Sequence, residues 1–185
     1  MFTRANLFKI GAATAAISFF ITLSWAVVDT GINATGDYEF CTGCHSHKAA
    51  GTSYREDLHG GNNRVGWRAT CSDCHISHDN SFSYLWVKGV HGIVDPAIGL
   101  VKDPYDIDWH AKRENRGTYV YDSGCLNCHK YLEQSSNENR SSFLPHRKYF
   151  AEQEELTCVS CHAHVGHSNL GAHLQEQGWL KKDRL

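Results

Sequence analysis

The chain has 185 residues, with 18 Lys and Arg against 20 Asp and Glu and a formal net charge of −2, so it presents no basic field for nucleic acid. Its length suits one modest domain with an anchor. Histidine and cysteine, at 13 and 8 residues, are the compositional outliers.

Residues 1–9 carry Arg4 and Lys9 and no acid, and residues 10–28 are uncharged and mainly apolar. An apolar run of about 19 residues is long enough to span a bilayer as a helix. The basic residues before it place its start in the cytoplasm, and Trp25 falls where an interfacial aromatic is expected. Ser24-Trp25-Ala26 also offers a signal-peptidase pattern, but that site lies inside the apolar run. The expectation is an uncleaved anchor over residues 1–29, followed by a domain over 30–185. Asp29 to Phe40 reads as a short polar connector.

Cys41-Thr42-Gly43-Cys44-His45 is the first of four Cys-x-x-Cys-His pentapeptides. The others end at Cys71, Cys74 and His75, at Cys125, Cys128 and His129, and at Cys158, Cys161 and His162, which accounts for every cysteine. The pattern is that of covalent c-type haem attachment. Two thiols three positions apart, on about one helical turn, can each form a thioether with one porphyrin, and the histidine that follows lies beneath the iron. Zinc ribbons and thioredoxin-like pairs also use Cys-x-x-Cys, but neither requires a histidine after every second cysteine. Four covalently bound haem c groups are therefore expected. Covalent haem is attached outside the bacterial inner membrane, which agrees with the anchor.

His59 precedes Cys71 by twelve residues, and His146 precedes Cys158 by the same step. A further histidine follows each second motif: His78 in the first half, His164 and His167 in the second. The repeat predicts a mainly α protein with long loops, its small haem domain built from two dihaem halves, roughly 37–100 and 101–185. Between the halves, residues 81–100 form the longest apolar and aromatic stretch outside the anchor, interrupted by Lys88, His91 and Asp95. It reads as a segment lying at the membrane interface or packed on haem, with Pro96 disturbing any helix just after Asp95. Lys88 and Asp95 are seven apart and share one face of a helix. Residues 103–121 are polar and turn-rich, 130–140 read as an exposed loop, and the tail after His167 reads as a short C-terminal helix.

His75, His129 and His162 are the proximal ligand candidates. The single methionine is Met1, so no haem of the domain is His/Met ligated, and a histidine-rich ligand set lowers the potentials. Distal candidates are His59, His146 and His167, then His78. His91, His110, His164 and His173 read as surface or supporting histidines.

An N-terminal anchor followed by four such motifs resembles the NapC/NirT family of membrane tetrahaem quinol dehydrogenases, which includes NrfH and CymA. The segments that carry the resemblance are Leu58-His59-Gly60-Gly61, Cys74-His75-Ile76-Ser77-His78, Lys88 with Asp95, and Cys161-His162-Ala163-His164-Val165-Gly166-His167. It implies a single-pass protein of the bacterial inner membrane with its haem domain in the periplasm. Such a protein oxidises membrane quinol and passes electrons to a periplasmic multihaem or molybdenum oxidoreductase for nitrite, nitrate or a related substrate. It also implies a quinol site beside the first haem, lined by Lys88 and Asp95: a carboxylate accepts a proton and an ammonium holds the oxygen as charge develops. The NrfH branch carries a ligating methionine where this chain has His47, so His45 or His47 serves the first haem here. Other readings are reverse flow, from a hydroxylamine-oxidoreductase-like enzyme to quinone, a tetrahaem shuttle without a quinone site, and a terminal reductase with a five-coordinate haem.

Overall fold

A computed structural model describes residues 3–151 and 155–180, and every regular element among them is helical. Helix α1 runs Arg4–Ala34, with the Thr3 side chain accepting from Asn6 N at its start. Its 31 residues extend about 46 Å at the usual rise, more than the hydrocarbon thickness of about 30 Å. Phe19, Phe20, Ile21 and Trp25 are exposed and no α1 residue is buried. Thr14 and Thr22 turn their hydroxyls back onto Ile10 O and Ser18 O. Among the described residues α1 alone is long and apolar enough to cross a membrane, with a mean hydropathy of 1.8. An uncovered apolar helix with its polar groups internally bonded is consistent with a single span.

The connector expected from Asp29 begins later, because α1 continues to Ala34. Asn33 Nδ2 donates to Asp29 Oδ2 one turn back and Thr35 Oγ1 to Gly31 O, so these polar side chains support the last turns. The chain then forms α2 (Tyr38–Cys41), a 3₁₀ turn at His45–His47, α3 (Lys48–Glu56), and α4 (Cys71–His75), which starts at a capping box between Thr70 and Asp73. Helix α5 (Ser81–Val101) is capped by Asn80 and runs unbroken through Pro96, against the expected interruption. An interior proline removes one hydrogen bond, here to Gly92 O, at a cost of about 3 kcal/mol; the remaining bonds of a 21-residue helix outweigh it. No α5 residue is buried, and Phe82, Trp86, Ile93 and Leu100 are exposed.

Residues 103–121 form a 3₁₀ turn at Pro104–Asp106, α6 (Trp109–Glu114) and a second 3₁₀ turn at Arg116–Thr118. Helix α7 (Asp122–Cys128) follows, then α8 (Leu132–Glu138) and α9 (Arg140–Phe150), which pack on each other. The exposed loop expected over 130–140 is thus mostly helix. Ser135 and Ser136 bond back to Leu132 O and Glu133 O instead of competing with the helix, and Asn139 caps α9 through Ser141 N. Helices α10 (Cys158–Cys161) and α11 (Leu170–Glu176) complete the chain.

The core joins α3 to α11. It consists of Ala49, Leu174, Trp179 and Leu180, with Trp109 and Leu170 against them, and the Trp109 and Trp179 rings stack at 5.6 Å. Burying one Leu such as Leu174 contributes about 2 kcal/mol, whereas ordering each residue costs about 1–2 kcal/mol. This cluster is small against that cost; Tyr54, Ala69, Ile76 and Val159 are buried outside it.

Candidate functional site

The four motifs form a contiguous row. The Cys41 and Cys71 thiols are near neighbours, which sets the first motif against the second, and Ser72 N donates to Gly36 O at 3.1 Å beside them. The Cys125 and Cys158 thiols are likewise neighbours and join the third motif to the fourth, where Cys158 N donates to Asp122 Oδ1. Between the pairs, α4 packs on α7. Tyr121 N donates to Cys74 O at 2.9 Å, His78 N donates to Ser123 Oγ at 3.0 Å, and a Cβ on Gly124 would overlap Asp73 O.

Three histidine pairs lie along this row. Ring centres are 6.1 Å apart for His75 and His167, 6.4 Å for His59 and His129, and 6.2 Å for His146 and His162. A metal–imidazole nitrogen bond is about 2.0–2.1 Å, so two imidazoles on opposite sides of one metal hold their centres roughly 6 Å apart. In four of the six rings Nδ1 is bonded to an oxygen that can only accept. His75 Nδ1 donates to Tyr119 O (2.9 Å), His167 Nδ1 to Ala50 O (3.1 Å), His146 Nδ1 to Ser142 O (3.0 Å) and His59 Nδ1 to Asp57 Oδ1 (3.2 Å). These bonds fix the tautomer that leaves the Nε2 lone pair available to a metal. Burial pushes the His75 imidazole below its ordinary value, and burial together with neighbouring His75 pushes His167 down to about 4, so both stay neutral, as a ligand must be. The donor set therefore fits an iron held between two histidines.

Other sequence candidates sit differently. His78 Nε2 donates to Ser72 O at 3.3 Å and its ring meets Tyr84 edge-on, so it faces none of the motif histidines. His45 Nε2 donates to Gly99 O of α5 at 3.3 Å, and His47 Nδ1 lies 3.4 Å from Ser46 Oγ. Lys88 and Asp95 both stand on α5. Lys88 Nζ donates to Ser72 Oγ at 3.2 Å and lies 5.8 Å from the Tyr84 ring centre, and partial burial lowers its ammonium. Asp95 Oδ2 accepts from His91 Nδ1 at 2.9 Å.

A cleft of about 450 Å³ opens between Trp25, Val28 and Ile32 of α1 and Ser81, Tyr84 and Leu85 of α5; neither Lys88 nor Asp95 lines it. A second, of about 360 Å³, separates Asp57 and His59 from the fourth motif at Cys161–Val165. Sequence reasoning passed over Asp57, Ser168 and the His91 partner of Asp95. The i,i+4 spacing of His91 and Asp95 was a signal, as was an aspartate two residues before a histidine. Ser168 meets Asp57 only through the tertiary fold. Burial alone would raise the Asp57 carboxyl, but bonds from His59 N, Ser168 Oγ and His59 Nδ1 hold it below its usual value.

Residues 4–172 match the NapC/NirT cytochrome c family, N-terminal region. A protein of Allochromatium vinosum named for the tetraheme cytochrome-c type is 34% identical over 164 residues, covering 80% of this chain and 82% of its own. The denitrification system component NirT of Stutzerimonas stutzeri is 31% identical and covers 77% and 74%, and the cytochrome c-type protein NapC of Escherichia coli K12 is 26% identical over the same shares. The fold is similar to the crystal structure of the cytochrome c nitrite reductase NrfHA complex bound to the HQNO inhibitor. The TM-score is 0.51 at 24% identity, over 87% of this chain and 90% of the matched one.

Proposed function

This chain belongs to the NapC/NirT cytochrome c family as a tetrahaem c-type cytochrome, and we propose that it oxidises membrane quinol and passes the electrons to a periplasmic oxidoreductase. The observation that carries this reading is the set of three histidine pairs at 6.1, 6.4 and 6.2 Å along a contiguous row of motifs. Thioether attachment falls to Cys41 and Cys44, Cys71 and Cys74, Cys125 and Cys128, and Cys158 and Cys161. His75 with His167, His129 with His59, and His162 with His146 ligate the second, third and fourth irons. The first motif draws on His45 or His47, and the bond from His45 Nε2 to Gly99 O favours His47. Bound haem supplies reversible one-electron storage at iron. The mutual thiol contacts within the first two motifs and within the last two support an arrangement as two dihaem halves.

At the quinol end, α5 carries the working side chains. Quinol oxidation releases two protons and two electrons, so a base has to stand beside the ring. Asp95 Oδ2, oriented by His91 Nδ1, accepts a proton. Lys88 Nζ, held by Ser72, binds the quinol oxygen. The uncovered apolar residues of α1 and α5 support placement at the inner membrane with the haem domain in the periplasm. The NirT name and the nitrite reductase complex support an oxidoreductase of nitrogen oxyanions as the electron acceptor. The test is rapid mixing of the protein in lipid with a reduced menaquinol analogue. Haem reduction within the mixing record is expected, and spectra that stay oxidised would refute the reading.

A further inference from the structure

Asp57 is 6% exposed and stands between two of the histidine pairs. Oδ1 accepts from His59 N at 2.8 Å and His59 Nδ1 at 3.2 Å, and Oδ2 accepts from Ser168 Oγ at 2.8 Å. Ser168 follows His167 directly, and its carbonyl is held by Ser53 Oγ at 2.7 Å. The bonded rings of the other two pairs differ in kind: His75, His167 and His146 all give Nδ1 to a neutral backbone carbonyl. Of these four bonded rings, His59 alone gives it to a carboxylate.

We propose that Asp57 is a positioning residue that makes His59 the strongest electron-donating ligand of the set, so that the haem held by His59 and His129 has its reduction potential lowered by this carboxylate. The inference rests on the ligand assignment above. A carboxylate behind a metal-bound imidazole fixes its orientation and raises its basicity. A buried negative charge also favours the oxidised, more positive state of the metal in a low-dielectric setting. Ser168 moderates the effect, because its hydroxyl draws charge toward Oδ2 and away from His59. Asp57 would also be felt, more weakly, across Ser168 at the His75/His167 site.

The test is a potentiometric redox titration of the full-length holoprotein in detergent, followed by visible and electron paramagnetic resonance spectra. Asp57→Asn keeps the size and an oxygen for His59 N. It should shift one midpoint potential upward, by more than any of the other three, with the spin state of every centre unchanged. Ser168→Ala should shift that same potential downward, an opposite sign that loss of packing alone would not produce. Unmoved potentials, or equal movement of all four, overturn the proposal. If the Asp57→Asn holoprotein does not accumulate, Ser168→Ala decides, and no downward shift overturns it. His59→Ala, measured beside them, should turn one centre high-spin. If it does not, the ligand assignment fails; if it does while the potentials stay fixed, only the role of Asp57 fails.

Discussion

The imidazoles of His75 and His167 lie 6.1 Å centre to centre, with each Nδ1 tied to a backbone carbonyl, Tyr119 O for one and Ala50 O for the other. The first ends the second motif and the other follows the fourth, so a single iron between them would fasten the segment after the last motif to the second. His167→Ala should therefore convert one of the three bis-histidine centres to high spin while the Cys71 and Cys74 thioethers keep the haem attached. Electron paramagnetic resonance reads the spin change, and a pyridine haemochrome assay reads the haem count. Spin states unchanged from the parent protein would remove this pair from the ligand set.

The attachment motifs were legible in the sequence because thioether spacing is local: Cys71, Cys74 and His75 occupy one turn whatever the rest of the chain does. Which distal histidine meets which motif was not legible. His59 follows the first motif yet faces His129 of the third, and that depends on the packing of α4 on α7. Residues 130–140 misled because Ser and Asn suggest a loop, whereas Ser135 and Ser136 satisfy their hydroxyls within α8. The length of α1 beyond Asp29 was hidden by the same habit of reading polar residues as connectors. Asp57 gave a weak local sign in its spacing to His59, but its second partner, Ser168, is a tertiary neighbour.

Gly124 sits where α7 meets α4, and a Cβ there would overlap the Asp73 carbonyl oxygen. Backbone cannot move aside as a flexible side chain can, so Gly124→Ala should cost about 1–3 kcal/mol and lower the yield of protein with all haems attached. Gly89→Ala is the control. It lies within α5 with nothing near its Cβ position, and should be neutral or stabilise the helix by up to about 1 kcal/mol. Thermal melts of the two holoproteins compare them, and equal midpoints would mean that the α4–α7 contact is loose.

His173 binds α11 to α3 through Glu56 at 2.9 Å, with Glu176 at 3.3 Å on its other nitrogen. The Glu56 bond first, then Glu176, raises the His173 imidazole above its ordinary value, and the same bond lowers Glu56. A raised histidine contributes stability fully below its unfolded value, and that contribution is lost as pH rises through the folded one. A lowered glutamate contributes above its unfolded value and loses it as pH falls through the folded one. The clamp is thus strongest between the lowered Glu56 value and the raised His173 value. Amide hydrogen exchange of α11, corrected for its intrinsic pH dependence, should show protection falling on the alkaline side of that window. His173→Gln should flatten the dependence, and an unchanged profile in that variant would place the pH sensitivity elsewhere.

Asp95 Oδ2 and His91 Nδ1, 2.9 Å apart, form the acid–base pair on α5, and Lys88 stands two turns earlier on the same helix. If Asp95 takes the quinol proton, Asp95→Asn keeps the shape and removes the base, so quinol oxidation should slow by about 10²-fold or more. His91→Ala leaves the carboxylate in place but unoriented, and a smaller loss is expected. Lys88→Gln removes a binding charge and should raise KM more than it lowers kcat, because an ammonium that holds the oxygen acts in the bound ground state as well. Reduction by dithionite bypasses the quinol and should proceed at the parent rate in all three variants. Steady-state assays with a menaquinol analogue separate these effects. An Asp95→Asn enzyme with parent kcat and KM would move the proton acceptor away from α5.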